Sequence, residues 1–278
     1  MTASVSIPAY PYESGPRPYG LTAGLRLLRA LETAGQDVLS AADAVAAGQA
    51  LGLSSGHAIA LLHRLAAAGW LARARRGLYA IVDPATGQPR AHPFAIGAAL
   101  ARPAAISHWS ALQHWGLTTQ LPAVVTLSTP KRATPPRVAI AGARYEIVTI
   151  AARRWFGVTQ AWVDERHAVA IFEPERALLD AFHHFHIFGS LSTALELLEE
   201  RHDALDLERL VAYAARLEIG AVAKRLGWAL ERLGAGETLL APLRACPGRG
   251  DIPLDPRRPA RGRHNSAWGV IENLGDGG

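Results

Sequence analysis

The sequence predicts an α+β protein: an N-terminal unit of helices closed by a hairpin, followed by a mixed α/β region with a helical C-terminal part. Three observations predict it. Apolar residues recur at helical spacing three times between residues 22 and 68, with Thr or Ser opening each run. Short β-rich runs bounded by turn residues follow at 71–82 and again between 123 and 172. Helical spacing then returns from 174 to 233.

Residues 1–21 read as a proline-rich tail, because SIPAYPYESGPRPYG holds four prolines and no apolar period. Thr22 caps the first expected helix, Leu25, Leu28 and Leu31 give its stripe, and Gly35 stops it. Ser40 caps a second helix, AADAVAAGQALG. Ser54 and Ser55 cap a third, over 56–68, ending at Gly69. WLARARRGLYAIVDP reads as two strands around Arg75-Arg76-Gly77. Helices and hairpin within residues 22–90 compose a winged helix-turn-helix. PATGQPRAHP, 84–93, reads as a linker to a second domain, 91–278. There, two helices break at Arg102-Pro103 and restart at Ser107, read as an N-cap. Strands are expected at 123–129, 137–140, 145–150 and 167–172. Glu173-Pro174 opens a helix, since proline suits the first helical position. Two or three more helices fill 191–233, and a Pro/Gly/Arg-rich segment, 244–263, precedes a short aromatic end.

The 278 residues are 49% hydrophobic and 19% charged, which excludes global disorder. No run reaches the roughly 18 apolar residues of a membrane span. The lone Cys246 excludes an intramolecular disulfide and cysteine-cluster metal sites. No signal peptide is expected, so the expected location is cytoplasmic. The net charge is +5, and of 29 basic residues only Lys131 and Lys224 are lysine. A GC-rich genome explains such a bias as well as an anionic partner does, so position decides between them.

The third helix and hairpin concentrate the signal. Ala58, Leu61, Leu62, Leu65 and Ala66 form the inward stripe. The outward face carries Ser54, Ser55, His57, Ile59, Ala60, His63 and Arg64, and the hairpin adds Arg73, Arg75 and Arg76. From Arg64 to Arg76 there are four arginines and no acid. In a winged helix this face enters the major groove, with Ser55 and His57 nearest base edges, His63 and Arg64 nearer phosphate, and the wing on the backbone or minor groove. Arg26 and Arg29 are secondary candidates for the flanking backbone.

Other constellations are weaker. His183, His184 and His186 lie near Asp180, where His183 and Asp180 suit a shared metal, but helix-end packing is the expectation. Asp164, Glu165, Glu173 and Glu175 suggest a Mg²⁺ nuclease, yet no lysine accompanies them. Ser107, His108 and Ser110 lack a nucleophile elbow. The arginines at 244, 249, 257, 258, 261 and 263 read as a solvated, flexible segment or as a second phosphate-contacting surface. No catalytic residue, cofactor or metal ligand is assigned.

LLHRLAAAGWLARARRGLYAI resembles the winged-helix start of AbiEi-type antitoxins. ISHWSALQHWGLTTQLP, VTLSTPKR, WFGV, VAIFEPERALLDAF and RHNSAWGVIENL resemble later segments in that family's order, so the likeness spans roughly 22–274. The resemblance implies a transcriptional autorepressor that binds inverted repeats of double-stranded DNA at its own promoter, and a non-enzyme. It implies service as the antitoxin of a type IV toxin–antitoxin system in abortive infection and phage defence. It also implies a nucleotidyltransferase toxin that need not be touched, and a monomer or weak dimer that is cooperative on DNA. A stand-alone winged-helix regulator with a sensor domain and a defence nuclease are the alternatives.

Overall fold

The computed structural model describes residues 19–274. Of the tail expected at 1–21, residues 1–18 lie outside the described residues, and 19–21 already belong to the first helix, α1 (Tyr19–Thr33). Thr22 is therefore inside a helix rather than capping it. The buried stripe of α1 is Leu27, Leu28 and Leu31, whereas Leu25 is exposed. Spacing three aligns Leu25 with Leu28, but Leu27 and Leu31, four apart, set the stripe.

β1 (Val38–Ser40), absent from the sequence reading, runs straight into α2 (Ala41–Ala50). Ser40 and Asp43 close a capping box: the Ser40 hydroxyl accepts from the Asp43 N–H at 3.2 Å, and the Asp43 carboxylate accepts from the Ser40 N–H at 2.7 Å. A short turn leads to α3 (Ser55–Ala67), and the chain direction bends by 118° between the two helices. They approach closely because position 48 is glycine; a Cβ there would stand 2.8 Å from the Ala58 Cβ. β2 (Leu71–Arg75) and β3 (Leu78–Ile81) follow, and the sheet order is β1-β3-β2, all antiparallel.

This sheet lies between two cores. Leu71, Tyr79 and Ile81 join Leu27, Leu31, Leu39, Leu61 and Leu65 on one side. Ala74, Leu78 and Ala80 join the larger core on the other. Period two sends neighbours to opposite faces, so β3 is buried along its length. The segment 84–93 is not a loose linker. The Arg90 N–H donates to the Ile81 carbonyl, Val82 bridges to Pro89, Arg90 pairs with Glu32 at 2.7 Å, and Ala91 is buried.

The second region begins with α4 (Pro93–Leu100), β4 (Ala105–Ile106) and α5 (His108–His114), and continues through β5 (Val125–Thr129), β6 (Arg137–Ile140), β7 (Ala143–Thr149), β8 (Val158–Trp162) and β9 (Ala168–Phe172). These strands make a mixed sheet of order β6-β7-β5-β4-β9-β8. β4 and β8 escaped the sequence reading, one for its brevity and one for its polar edge position. A helical layer follows: α6 (Pro174–His183), α7 (Phe185–Phe188), α8 (Leu191–Arg201), α9 (Leu207–Leu217), α10 (Gly220–Arg232) and α11 (Glu237–Arg244). Pro174 sits in the first turn of α6, as expected.

The chain ends in β10 (Ile252–Pro253), β11 (Arg263–Asn265) and β12 (Val270–Glu272), ordered β10-β12-β11. The expected solvated, flexible segment is thus partly built in. Buried Arg225 donates to the Leu254 and Pro253 carbonyls at 2.8 and 3.0 Å. The Trp268 indole donates to Glu231 at 3.0 Å, and Arg244 stacks on that indole while pairing with Glu231 and Glu237. No single helix among the described residues is long and apolar enough to cross a membrane.

Candidate nucleic-acid interface

α3 has one buried and one exposed side. Ala58, Leu61, Leu62 and Leu65 are buried. Ser54, Ser55, His57, Ile59, His63 and Arg64 are exposed, and Ala60 is half-buried. Ser54 is the N-cap, its hydroxyl accepting from the His57 N–H at 3.3 Å, whereas Ser55 is the first helical residue and not a cap. The first turn therefore presents free N–H groups and the positive helix end to solvent, a setting that favours an anion. Ile59 is 40% exposed, an apolar group on an otherwise polar face and the side-chain type that meets a thymine methyl.

The hairpin carries the remaining cations. Arg73, Arg75 and Arg76 are exposed, while Ala74 between them is buried. Arg75 still pairs with Leu78, so the turn itself is Arg76-Gly77. Gly77 has a φ of 74°, a conformation with little strain only for glycine. Its carbonyl accepts from the Ala41 N–H at 2.9 Å, fixing the hairpin tip to the start of α2. The hairpin's far face, Ala74, Leu78 and Ala80, packs on the second region.

The electrostatics follow from where the acids go. Residues 19–83 hold six arginines (Arg26, Arg29, Arg64, Arg73, Arg75 and Arg76) and four acids. Each acid is committed elsewhere. Glu32 pairs with Arg90, Asp43 closes the α2 cap, and Asp83 caps a turn at Ala85. Asp37, buried, receives Arg166 at 2.8 Å and His167 at 3.1 Å from the second region. Among the described residues, none of the six arginines has a carboxylate partner. The Asp37 junction was not foreseen, because its partners lie more than a hundred residues away in the sequence.

The other sequence candidates scatter. Glu173 accepts from the Tyr213 hydroxyl, and buried Glu175 accepts from the Asp206 N–H at 3.0 Å, capping α9 from outside. Asp164 accepts from the Arg166 and His167 N–H groups at 2.8 and 2.7 Å within its own loop, and Glu165 is exposed. Each of the three carboxylates with a partner thus serves a local contact. Ser107 precedes α5 but makes no capping bond; its hydroxyl instead meets His108 Nδ1 at 2.8 Å and accepts from Ser128 at 2.9 Å. Ser110 accepts from the Thr126 N–H at 2.9 Å. His183 does not join Asp180. The residues that gather are His108, Asp180 and His184. Of the C-terminal arginines, Arg257 donates to the Gly189 carbonyl and Arg258 lies 3.7 Å from Asp255, while Arg249, Arg261 and Arg263 are exposed.

α3 and the hairpin thus carry exposed arginines without a carboxylate partner among the described residues. Residues 26–82 match the family model of the AbiEi antitoxin transcriptional regulator, the family that the sequence resembles. That segment runs from the middle of α1 through β3 and contains every residue assigned to the exposed face. The solved structure of the RV2827C protein from Mycobacterium tuberculosis is similar in fold, with a TM-score of 0.59 at 17% identity, over 91% of this chain and 92% of that one. No curated protein matches the chain.

Proposed function

We propose that the protein is a DNA-binding transcriptional autorepressor acting as the antitoxin of a type IV toxin–antitoxin system. Residues 22–90 work as a winged helix-turn-helix on inverted repeats in its own promoter, and 91–278 as the antitoxin domain. It is a binding protein rather than an enzyme, and it works in the cytoplasm. One observation carries the reading: the arginines of α3 and the hairpin are exposed, have no carboxylate partner among the described residues, and lie inside the segment that matches a regulator family. The 118° bend between α2 and α3 supports it, since paired helices of this motif cross at roughly 90–120°.

The mechanism follows from the side chains. α3 enters the major groove by its N-terminal turn. Ser55 and His57 face base edges, Ile59 faces a methyl group, and Ala60 allows close approach. His63, Arg64 and Arg73 meet phosphates. Arg75 and Arg76 grip the backbone or a narrow minor groove. The face offers few bidentate readers, so DNA shape carries part of the specificity. Two copies, monomeric or weakly dimeric in solution, span the inverted repeat cooperatively. The toxin partner is a nucleotidyltransferase that need not be touched.

The test is a mobility shift on the fragment upstream of the protein's own gene, against a shuffled competitor. A competitor-resistant shift that footprints to an inverted repeat is expected. Equal displacement by both competitors would overturn the repressor reading.

A further inference from the structure

We propose that His108, Asp180 and His184 form a binding site for one borderline divalent transition-metal ion, zinc by chemistry, between α5 and α6. One donor atom from each residue lies within 4.8 Å of the others. Asp180 and His184 sit four apart around the end of α6, and His108 reaches them from the start of α5. The two ring nitrogens that face each other, His108 Nε2 and His184 Nδ1, are 3.0 Å apart. Nitrogens bound about 2.0–2.1 Å from a tetrahedral zinc stand roughly 3.3 Å from each other, so a few tenths of an ångström of opening admits the ion.

Three further features point to a ligand. Asp180 is 1% exposed, and its Oδ1 has no hydrogen-bond partner among the described residues, while Oδ2 takes the Arg176 guanidinium at 3.0 Å. A buried carboxylate oxygen left bare is costly unless something fills it. His108 is fully buried with a φ of 53°, a strained conformation for a non-glycine residue and one that clusters at functional sites. Its other nitrogen meets the Ser107 hydroxyl, itself held by Ser128. That is the outer support a metal-bound imidazole needs, since Nδ1–H toward Ser107 aims the Nε2 lone pair into the site.

The donor set selects the ion. Two imidazoles and a single carboxylate do not suit calcium or magnesium, which want several oxygens. Arg176 shares the carboxylate, which weakens its hold on a cation. His184 is half-buried and His186 exposed, so the site lies near solvent.

The full chain is stripped with chelator and titrated with Co²⁺, followed by its visible d–d absorption, and then with Zn²⁺ as competitor. One saturating equivalent per chain, displaced by Zn²⁺ and raising the melting temperature, is expected. His184→Asn and Asp180→Asn should each weaken it at least tenfold, and Ser107→Ala by about 10–100-fold with the fold intact. His264→Asn, at the surface pair with Asp251, should leave it unchanged. The proposal is overturned by no saturable band in the parent chain, by full binding in a folded His184→Asn, or by loss in His264→Asn.

Discussion

The two regions of this molecule differ in whether any of their arginines are paired. In residues 19–83 no arginine meets a carboxylate among the described residues, and all of them are exposed. Beyond residue 84, Arg90, Arg137, Arg166, Arg176, Arg209, Arg244 and Arg258 each approach one, and Arg176 is buried doing so. Arg176 also lies over the Phe172 ring at 4.3 Å. Seven of the twenty arginines beyond residue 84 thus serve as scaffold, whereas none of the six in residues 19–83 is neutralised by a carboxylate among the described residues. The difference arises from the acids. The N-terminal region spends its carboxylates on a cap, a turn and contacts to the second region, which leaves its outward face positive. A charge bias that composition assigns equally to genome or partner becomes interpretable once pairing is known.

The comparison can be broken most severely at Arg176. Removing it as Arg176→Met leaves Asp180 buried without its counter-ion and should cost roughly 3–5 kcal/mol at neutral pH in urea unfolding. Burial already pushes the Asp180 carboxyl up to about 6 against the opposing pull of Arg176, and losing that arginine raises it further. A raised acid contributes stability fully present below its unfolded value near 4 and lost as pH rises through the folded one. The deficit of the variant should therefore shrink on acidification from pH 7 to 5. A deficit that is flat in pH would separate the cost from Asp180 ionisation.

Smaller effects sharpen the comparison. Asp37→Ala strands Arg166 and His167 at the junction of the two regions and should cost roughly 1–3 kcal/mol, read as a lower melting temperature. His57→Ala should leave stability alone and cost roughly 1–3 kcal/mol of discrimination at one base step, measured with single-substitution operators, if its base contact is good. Uniform weakening across all operators would reassign His57 to the phosphates. Arg137→Ala, at an exposed pair on the edge strand β6, should change stability by under about 0.5 kcal/mol and leave DNA affinity unchanged. A loss of affinity there would extend the nucleic-acid face into the second region.

Local chemistry was legible in the sequence at several single residues, though not at Thr22, Ser55 or Ser107. The Ser40 and Ser54 caps, the Pro174 start and the Gly77 turn all fall where their side chains or φ require. The exposed face was legible too, because Ala58, Leu61, Leu62 and Leu65 fix which way α3 turns. What escaped depends on distant partners. β1 is three residues long and is defined by its pairing with β3. The 84–93 segment looks like a linker until Arg90 finds Glu32. His108 and His184 are 76 residues apart, so neither spacing nor motif brings them together. By spacing Asp180 suits His183, but the donors that gather around it are those of His108 and His184.

The central claim is that the α3 and hairpin arginines bind DNA phosphates. The most direct test compares the salt dependence of operator affinity for the parent chain and the Arg75→Ala/Arg76→Ala double variant. Each lost phosphate contact flattens the slope of log K against log salt by roughly 0.9. The account predicts a slope flatter by up to about two units, with weaker binding to every sequence. An unchanged slope in a folded variant would contradict it and remove the hairpin from the interface.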